Sequence, residues 1–525
     1  MATMDAALRQ IIDRVRDSAA LLEGPLAQAA LSVLESDRAN IQAAWSWAVS
    51  QRQIATLAEM VEGLRKFYRR RGPVVEGLRL LEQVLALPPA VLPPDFEARV
   101  RAAQVQLLGL QLRFDEGVES AARLIALGEG LGAPLVQAEG YLLEGQTLQQ
   151  QGKFEAAQQA LESGLERLDA LQTAEGGHRR LTANLLRELG NVAIRRGDLA
   201  MAEARYAAAL ELFRALEDAG GEGAVLNNLG NVAFDRGDYV TARAHLTAAL
   251  ALYRKLGNLP GEAKALNNLA NVAADQRDYG VALQYYREVL QIHQTLENLP
   301  AQSTVLNNLG ALYWELGLYA EARETYRQAL AIFRECGNRQ AEGEILANLS
   351  LVELQTGDLQ AALRLAQEAA AASQESGDMS NLANVRTYLG KIHAALGQVA
   401  EAERGYHQAL ALRQELPHPG RLLELQVELA ALALRRGKSA QALADIAPVL
   451  GALENDEALE GAEEPYRVFW LCYEILRANA DPRATPLLVR ARRQLLTQAA
   501  CIPDAGLRRA FLENVPAHRQ IMHDV

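Results

Sequence analysis

Aromatic residues are scarce in this 525-residue chain, at 5%, although half of its residues are hydrophobic. Ala, Leu, Glu, Gln and Arg supply the difference, and a chain rich in these strong helix formers predicts long helices. Cysteine occurs three times, at Cys336, Cys472 and Cys501, far apart and odd in number. That excludes a disulfide framework and a Cys-rich zinc site. No run of about 18 apolar residues escapes interruption by a charge or a strongly polar side chain, so no membrane-spanning helix is expected. Clustered cations are missing too. The 53 Lys and Arg face 65 Asp and Glu, a net charge of −12, and no long basic block argues for a chain-wide nucleic-acid surface. The opening MATMDAALRQIIDRVRDS carries acids and no apolar core, so no secretory signal is expected. Together these absences predict a cytoplasmic protein.

A chain of this length would ordinarily hold three or four globular domains. An internal repeat gives a different organisation. Leu189-Gly190, Leu229-Gly230, Leu269-Ala270, Leu309-Gly310, Leu349-Ser350 and Leu389-Gly390 recur every 40 residues. Behind them run Gly197, Gly237, Arg277, Gly317, Gly357, Gly397 and Gly437, then a small residue from Ala202 to Ala442 in the same phase. Upstream the pattern fades, with Gly152 and Ala157 matching Gly72 and Gly77, and an insertion near Ala174–His178 breaks the phase. A glycine without a side chain lets a second helix pack close. The Gly-Asp steps suit a left-handed turn followed by an N-cap. Apolar residues between these marks follow helical spacing, and one helical pair cannot bury its apolar face alone.

These residues resemble the tetratricopeptide repeat (TPR) in a 40-residue form, from about Glu62 to Leu450. The resemblance implies an all-α, right-handed TPR superhelix of about ten helical-hairpin repeats with helical caps. The expected divisions are 1–85, an N-terminal arm and first divergent repeat; 86–450, the superhelix; and 451–525, a divergent repeat and capping helices. Such arrays serve many systems, so the fold alone does not name a function.

Catalytic signals are thin. Arg436-Gly437-Lys438-Ser439 looks like the end of a phosphate-binding loop, but Leu432 stands where the first glycine belongs, and Gly437 is in phase with the repeat turns. The eight histidines form no H-x-x-x-H pair, no G-x-S-x-G occurs, and the cysteines have no base at a motif spacing. No enzyme activity, cofactor or metal is expected.

The asparagines say more. Successive first helices read LNNLGN (226–231), LNNLAN (266–271) and LNNLGA (306–311). In the resembled fold, Asn191, Asn227, Asn231, Asn267, Asn271 and Asn307 point into the concave groove, with Phe234, Asp235, Asp275, Trp314 and Glu315 one turn further. An amide both donates and accepts, so a ladder of them can bind a peptide backbone at about 1 kcal/mol per bond. The acids and aromatics suit a cationic or amphipathic partner. The alternative reading is that the Asn pairs bond neighbouring helices and stabilise the stack.

Both ends carry a second resemblance. Glu35-Ser36-Asp37-Arg38-Ala39-Asn40-Ile41-Gln42-Ala43-Ala44-Trp45, followed by Phe67-Tyr68 and Arg71-Gly72, looks like the segment opening the TPR region of STAND signal-transduction ATPases of the maltose-activator and LuxR types. Ile502 to Arg519 resembles the closing helix of that class. The resemblance implies a sensor region, excised or separately encoded, that binds a protein, peptide or small-molecule inducer and relieves autoinhibition of a nucleotide-binding ATPase module acting in cis or in trans. No direct contact with nucleic acid or membrane is expected. The alternative is a stand-alone TPR scaffold that holds extended segments of partner proteins.

Overall fold

The computed structural model describes residues 6–22, 26–171, 176–414, 419–453, 459 and 461–524. These residues form 28 helices and no strand. Eleven successive helix pairs run from Ile54–Arg70 with Val74–Leu85 to Pro465–Ala478 with Ala484–Ala500, the pair at 419–453 having its second helix broken in two. Three helices precede them and two follow. The Ala174 end of the expected insertion lies outside the described residues; His178 sits in the first turn of the helix Gly176–Arg195.

Turn chemistry explains the spacing. Gly197, Gly237, Gly317, Gly357, Gly397 and Gly437 have φ between +72° and +89°, a region other residues avoid. After Gly197, Gly237 and Gly357 the next residue caps the following helix: Asp198 accepts from the Met201 amide at 2.9 Å, Asp238 and Asp358 repeat the bond, and Asn338 does the same after Gly337. Gly437 is one of these turns, which accounts for the Gly-Lys-Ser triplet without a phosphate. Arg277 holds φ +62° where this series has glycine, as Leu112 and Ala480 do in the turns of other pairs, at a cost of roughly 1 kcal/mol.

Packing follows from size. The glycine of each Leu-Gly pair faces the side chain sixteen residues later. A Cβ on Gly190 would lie 2.4 Å from the Tyr206 ring, and one on Gly390 2.4 Å from Tyr406. Where the repeat has Ser350 instead, the facing residue is Ala366, and both are fully buried.

The chain divides into two contact-dense units, Met1–Asn268 and Leu269–Val525. In the first, Trp45 is fully buried, and its indole N–H donates to the Leu80 carbonyl at 2.8 Å. Gly72 and Gly77 flank the Tyr68 ring, whose hydroxyl donates to Glu76 at 2.6 Å. The helices at the opening of the chain are thus packed into its core. Within each unit the first helices of adjacent pairs also touch one another, as Pro94–Leu110 does Pro134–Gln150 and Arg339–Thr356 does Met379–Ala395. They therefore form the inner face of the curve.

Candidate binding grooves

Most of the groove asparagines already have partners. Asn191 donates to Glu188 at 2.7 Å and accepts from the Tyr206 hydroxyl at 2.7 Å and from Asn228 at 3.1 Å. Asn227, buried, accepts from Asn268 at 3.1 Å. Asn307 donates to Glu344 at 2.8 Å and accepts from Asn348 at 3.1 Å, and Asn271 accepts from Tyr286 at 2.5 Å. These amides join neighbouring helices. Asn231 and Asn267 are half-buried. Position 246, where a tyrosine would reach Asn231 as Tyr206 reaches Asn191, is Leu246.

The aromatic and acidic members separate in the same way. Phe234 stacks edge-on to Tyr239 at 5.9 Å, while Asp235 and Asp275 are exposed. Glu315 pairs with Arg277 and accepts from Tyr279 at 2.7 Å, so it presents no bare carboxylate. Trp314 is half-buried, and its indole nitrogen is buried with no hydrogen-bond partner.

Trp314 lines a cavity of about 350 Å³ in the second unit, with Arg277, Tyr319 and Tyr326 on one side and Glu464, Phe511 and His518 on the other. The second wall is the end of the chain folded back. Phe511 lies 6.3 Å from Tyr279 between ring centres, and the Asn514 amide donates to the Gly317 carbonyl at 3.2 Å. The closing helices therefore lie against a repeat nearly 200 positions earlier, beyond the capping role expected of them. Arg277 explains its strained backbone here: from that turn its guanidinium reaches Glu315 and the Tyr279 hydroxyl.

Beside the cavity, Glu463 and Glu464 cross the inner face of three consecutive pairs. The Glu463 carboxylate accepts from Tyr388 at 2.7 Å and Arg421 at 2.5 Å. Glu464 accepts from Lys391 and from Gln355 at 3.2 Å, and its backbone N–H donates to Glu424 at 2.6 Å. Burial works against the Lys391 charge, yet Glu464 outweighs it and raises the ammonium above its usual range. Burial likewise opposes the Glu464 carboxylate, but Lys391 and Arg467 hold it below the usual range. These residues were missed in the sequence. The available signal was Lys391, a cation at the position where earlier repeats have Asn191, Asn231 and Asn271.

The first unit's inner face carries two wider grooves, of about 690 and 870 Å³. Among the described residues no group of His, Cys, Asp and Glu could hold a metal ion, and no helix is long and apolar enough to cross a membrane. Cys472 is buried, and burial pushes its thiol up to about 12.

Tetratricopeptide repeat models match residues 138–167, 221–295, 301–375 and 382–416. These stretches of the chain are tetratricopeptide repeats. Among solved structures it is similar to a STAND protein with a tetratricopeptide repeat sensor from Pyrococcus horikoshii, at 16% identity and a TM-score of 0.49 over 67% of this chain and 53% of that one. The TPR chain thus spans about half of that protein. It is also similar to the apo form of the quorum sensor NprR from B. thuringiensis, at 15% identity and a TM-score of 0.46 over 68% and 99% of the two chains. BtubC from P. vanneervenii aligns at 21% identity and a TM-score of 0.39 over 43% and 92%. No curated protein matches the chain.

Proposed function

We propose that this TPR chain is a non-catalytic, ligand- or protein-binding sensor domain of a STAND-type signalling ATPase. Its residues 1–85 serve as the arm towards the nucleotide-binding module. The observation that carries the reading is the Glu463-Glu464 segment lying across the inner face of its own repeats. A plain scaffold needs an open groove. A sensor needs two arrangements between which an inducer can choose, and an inducer that binds both equally shifts nothing. A self-occupied groove with a cavity beside it provides the resting arrangement; an inducer acting there favours the other. Trp314, which lines that cavity, is the member of the expected groove set best placed to meet it.

The test uses the full chain and a Glu463→Gln/Glu464→Gln variant as baits in host lysate, read for proteins and metabolites. The sensor reading expects an ATPase module or one defined small molecule, retained in different amounts by the two baits. Equal retention of several unrelated proteins through extended tails, with no ATPase module, would favour the scaffold.

A further inference from the structure

In the first unit the inner face has the opposite charge to the chain. The larger groove is lined by six arginines, Arg65, Arg69, Arg70, Arg99, Arg180 and Arg187, and by only three acids, Glu62, Glu139 and Asp218. Those acids are weak counterweights. Burial pushes the Glu139 carboxyl upwards, towards its neutral form. Glu62 pairs with Arg65. Asp218 is engaged as the N-cap of the helix Ala219–Asp235, accepting from the Gly221 amide at 3.0 Å, and lies 3.2 Å from Arg180. The adjoining groove adds the exposed Arg195 and one acid, Glu188, which pairs with Arg187 at 2.9 Å, so the cations still outnumber the acids. A groove with one sign of charge and low-dielectric walls concentrates an oppositely charged ligand.

Amides run between the cations. Gln106, Gln146, Gln149 and Asn184 line the smaller groove, and Asn184 and Asn258 the larger. The Gln149 side-chain nitrogen is buried with no hydrogen-bond partner. Arginine forks with interleaved amides match a chain that offers carboxylates and peptide groups together. The second unit shows the same array holding such a chain: Lys391, Arg421, Gln355 and Tyr388 take the carboxylates of Glu463 and Glu464, while a backbone N–H meets Glu424.

We propose that the Arg-rich inner face of residues 1–268 binds an extended, acidic peptide segment of a partner protein. Carboxylates sit on the arginines, and peptide groups on the glutamine and asparagine amides. The proposal rests on the reading of the inner face as the binding side and gives it a partner chemistry opposite to the cationic one expected from Asp235, Asp275 and Glu315.

The probe is a fluorescein-labelled twelve-residue peptide alternating Glu and Ala, followed by anisotropy with the full chain. Its Gln–Ala counterpart and a labelled twelve-nucleotide oligothymidylate serve as comparisons. The Glu peptide is expected to bind at least tenfold more tightly than the Gln peptide and to weaken as salt rises through the range where the Debye length falls below about 10 Å. The double variant Arg180→Glu/Arg195→Glu should weaken it tenfold or more, and Glu463→Gln/Glu464→Gln should leave it unchanged. Equal affinity for the Glu and Gln peptides, or indifference to the arginine changes, would overturn the proposal. So would tighter, arginine-dependent binding of the oligonucleotide. A failure here with a positive lysate result removes only the peptide chemistry, since that experiment reads the second unit's own segment.

Discussion

Gly310 faces the ring of Tyr326, and a Cβ added to Gly310 would lie 2.6 Å from Tyr326 Cε1. Two effects of Gly310→Ala compete. Alanine is the better helix former by about 1 kcal/mol. Overpacking against a ring only 2% exposed costs about 1–3 kcal/mol and outweighs it; Ala270, sixteen residues before the buried Tyr286, places the loss at the low end of that range. Thermal and urea unfolding of Gly310→Ala should show net destabilisation. The Ser350–Ala366 pair gives the control: Gly310→Ser should cost less on a Tyr326→Ala background than alone, by 0.5 kcal/mol or more, roughly the scale of contacting pairs. A stabilised Gly310→Ala protein would contradict the size-matching account.

That pairing was half legible in the sequence. The 40-residue phase of Leu-Gly and Gly-Asp placed the pairs and turns, because each mark reports a local backbone need. The facing partner at +16 was not noticed, nor were Gly221 against Phe213 and Gly261 against Tyr253, where a Cβ would approach the ring to 2.2 and 2.4 Å. The groove was less legible. Asp235, Asp275 and Glu315 read as acidic when taken along the chain, but Arg277 neutralises Glu315 through contacts that no linear spacing encodes. Glu464 meets Lys391 across 73 positions and Gln355 across 109, so neither falls within a repeat period.

The asparagines should separate by partner rather than by position in the repeat. Asn191 serves Glu188, Tyr206 and Asn228, so Asn191→Ala removes three bonds and is expected to cost about 1–3 kcal/mol. Asn231, opposite Leu246, should cost less than about 0.5 kcal/mol when changed to Ala. Melting temperatures of the two variants check this. Equal losses would mean that the tyrosine bond is not what distinguishes them.

Lys391 should be more costly to remove alone than together with its partner. Its side chain is 3% exposed and that of Glu464 13%, so Lys391→Met leaves a carboxylate buried and unpaired, a loss of about 3–5 kcal/mol. The double variant Lys391→Met/Glu464→Gln removes both charges and should recover a good part of it. Chemical denaturation of the two variants decides the matter. A double variant less stable than Lys391→Met would show that Glu464 is held by Gln355 and Arg467 without help from Lys391.

Acid should loosen the folded-back end before the rest of the chain. His518 lies between Phe511 and Tyr466, at 4.4 and 4.9 Å between ring centres, and bonds the Phe511 carbonyl through Nδ1 at 2.7 Å. Burial is the main cause that pushes its pKa down to about 4. A folded-state pKa below the unfolded value of about 6.5 means that the neutral ring stabilises the fold above pH 6.5. This stabilisation, about 3 kcal/mol at most, is lost as pH falls from 6.5 towards 4. Glu464 and Glu428, also held below their usual range, act in the same direction but only below about pH 4.5, which leaves the upper part of the window to histidine. His245 and His293 are lowered by burial too, so His518→Phe should reduce the pH dependence of global stability without abolishing it. The local readout is sharper: hydrogen exchange in 505–523 should accelerate between pH 6.5 and 5 in the native protein, after correction for intrinsic rates, and stay flat in His518→Phe. An identical acceleration in both proteins would place the acid-sensitive group elsewhere.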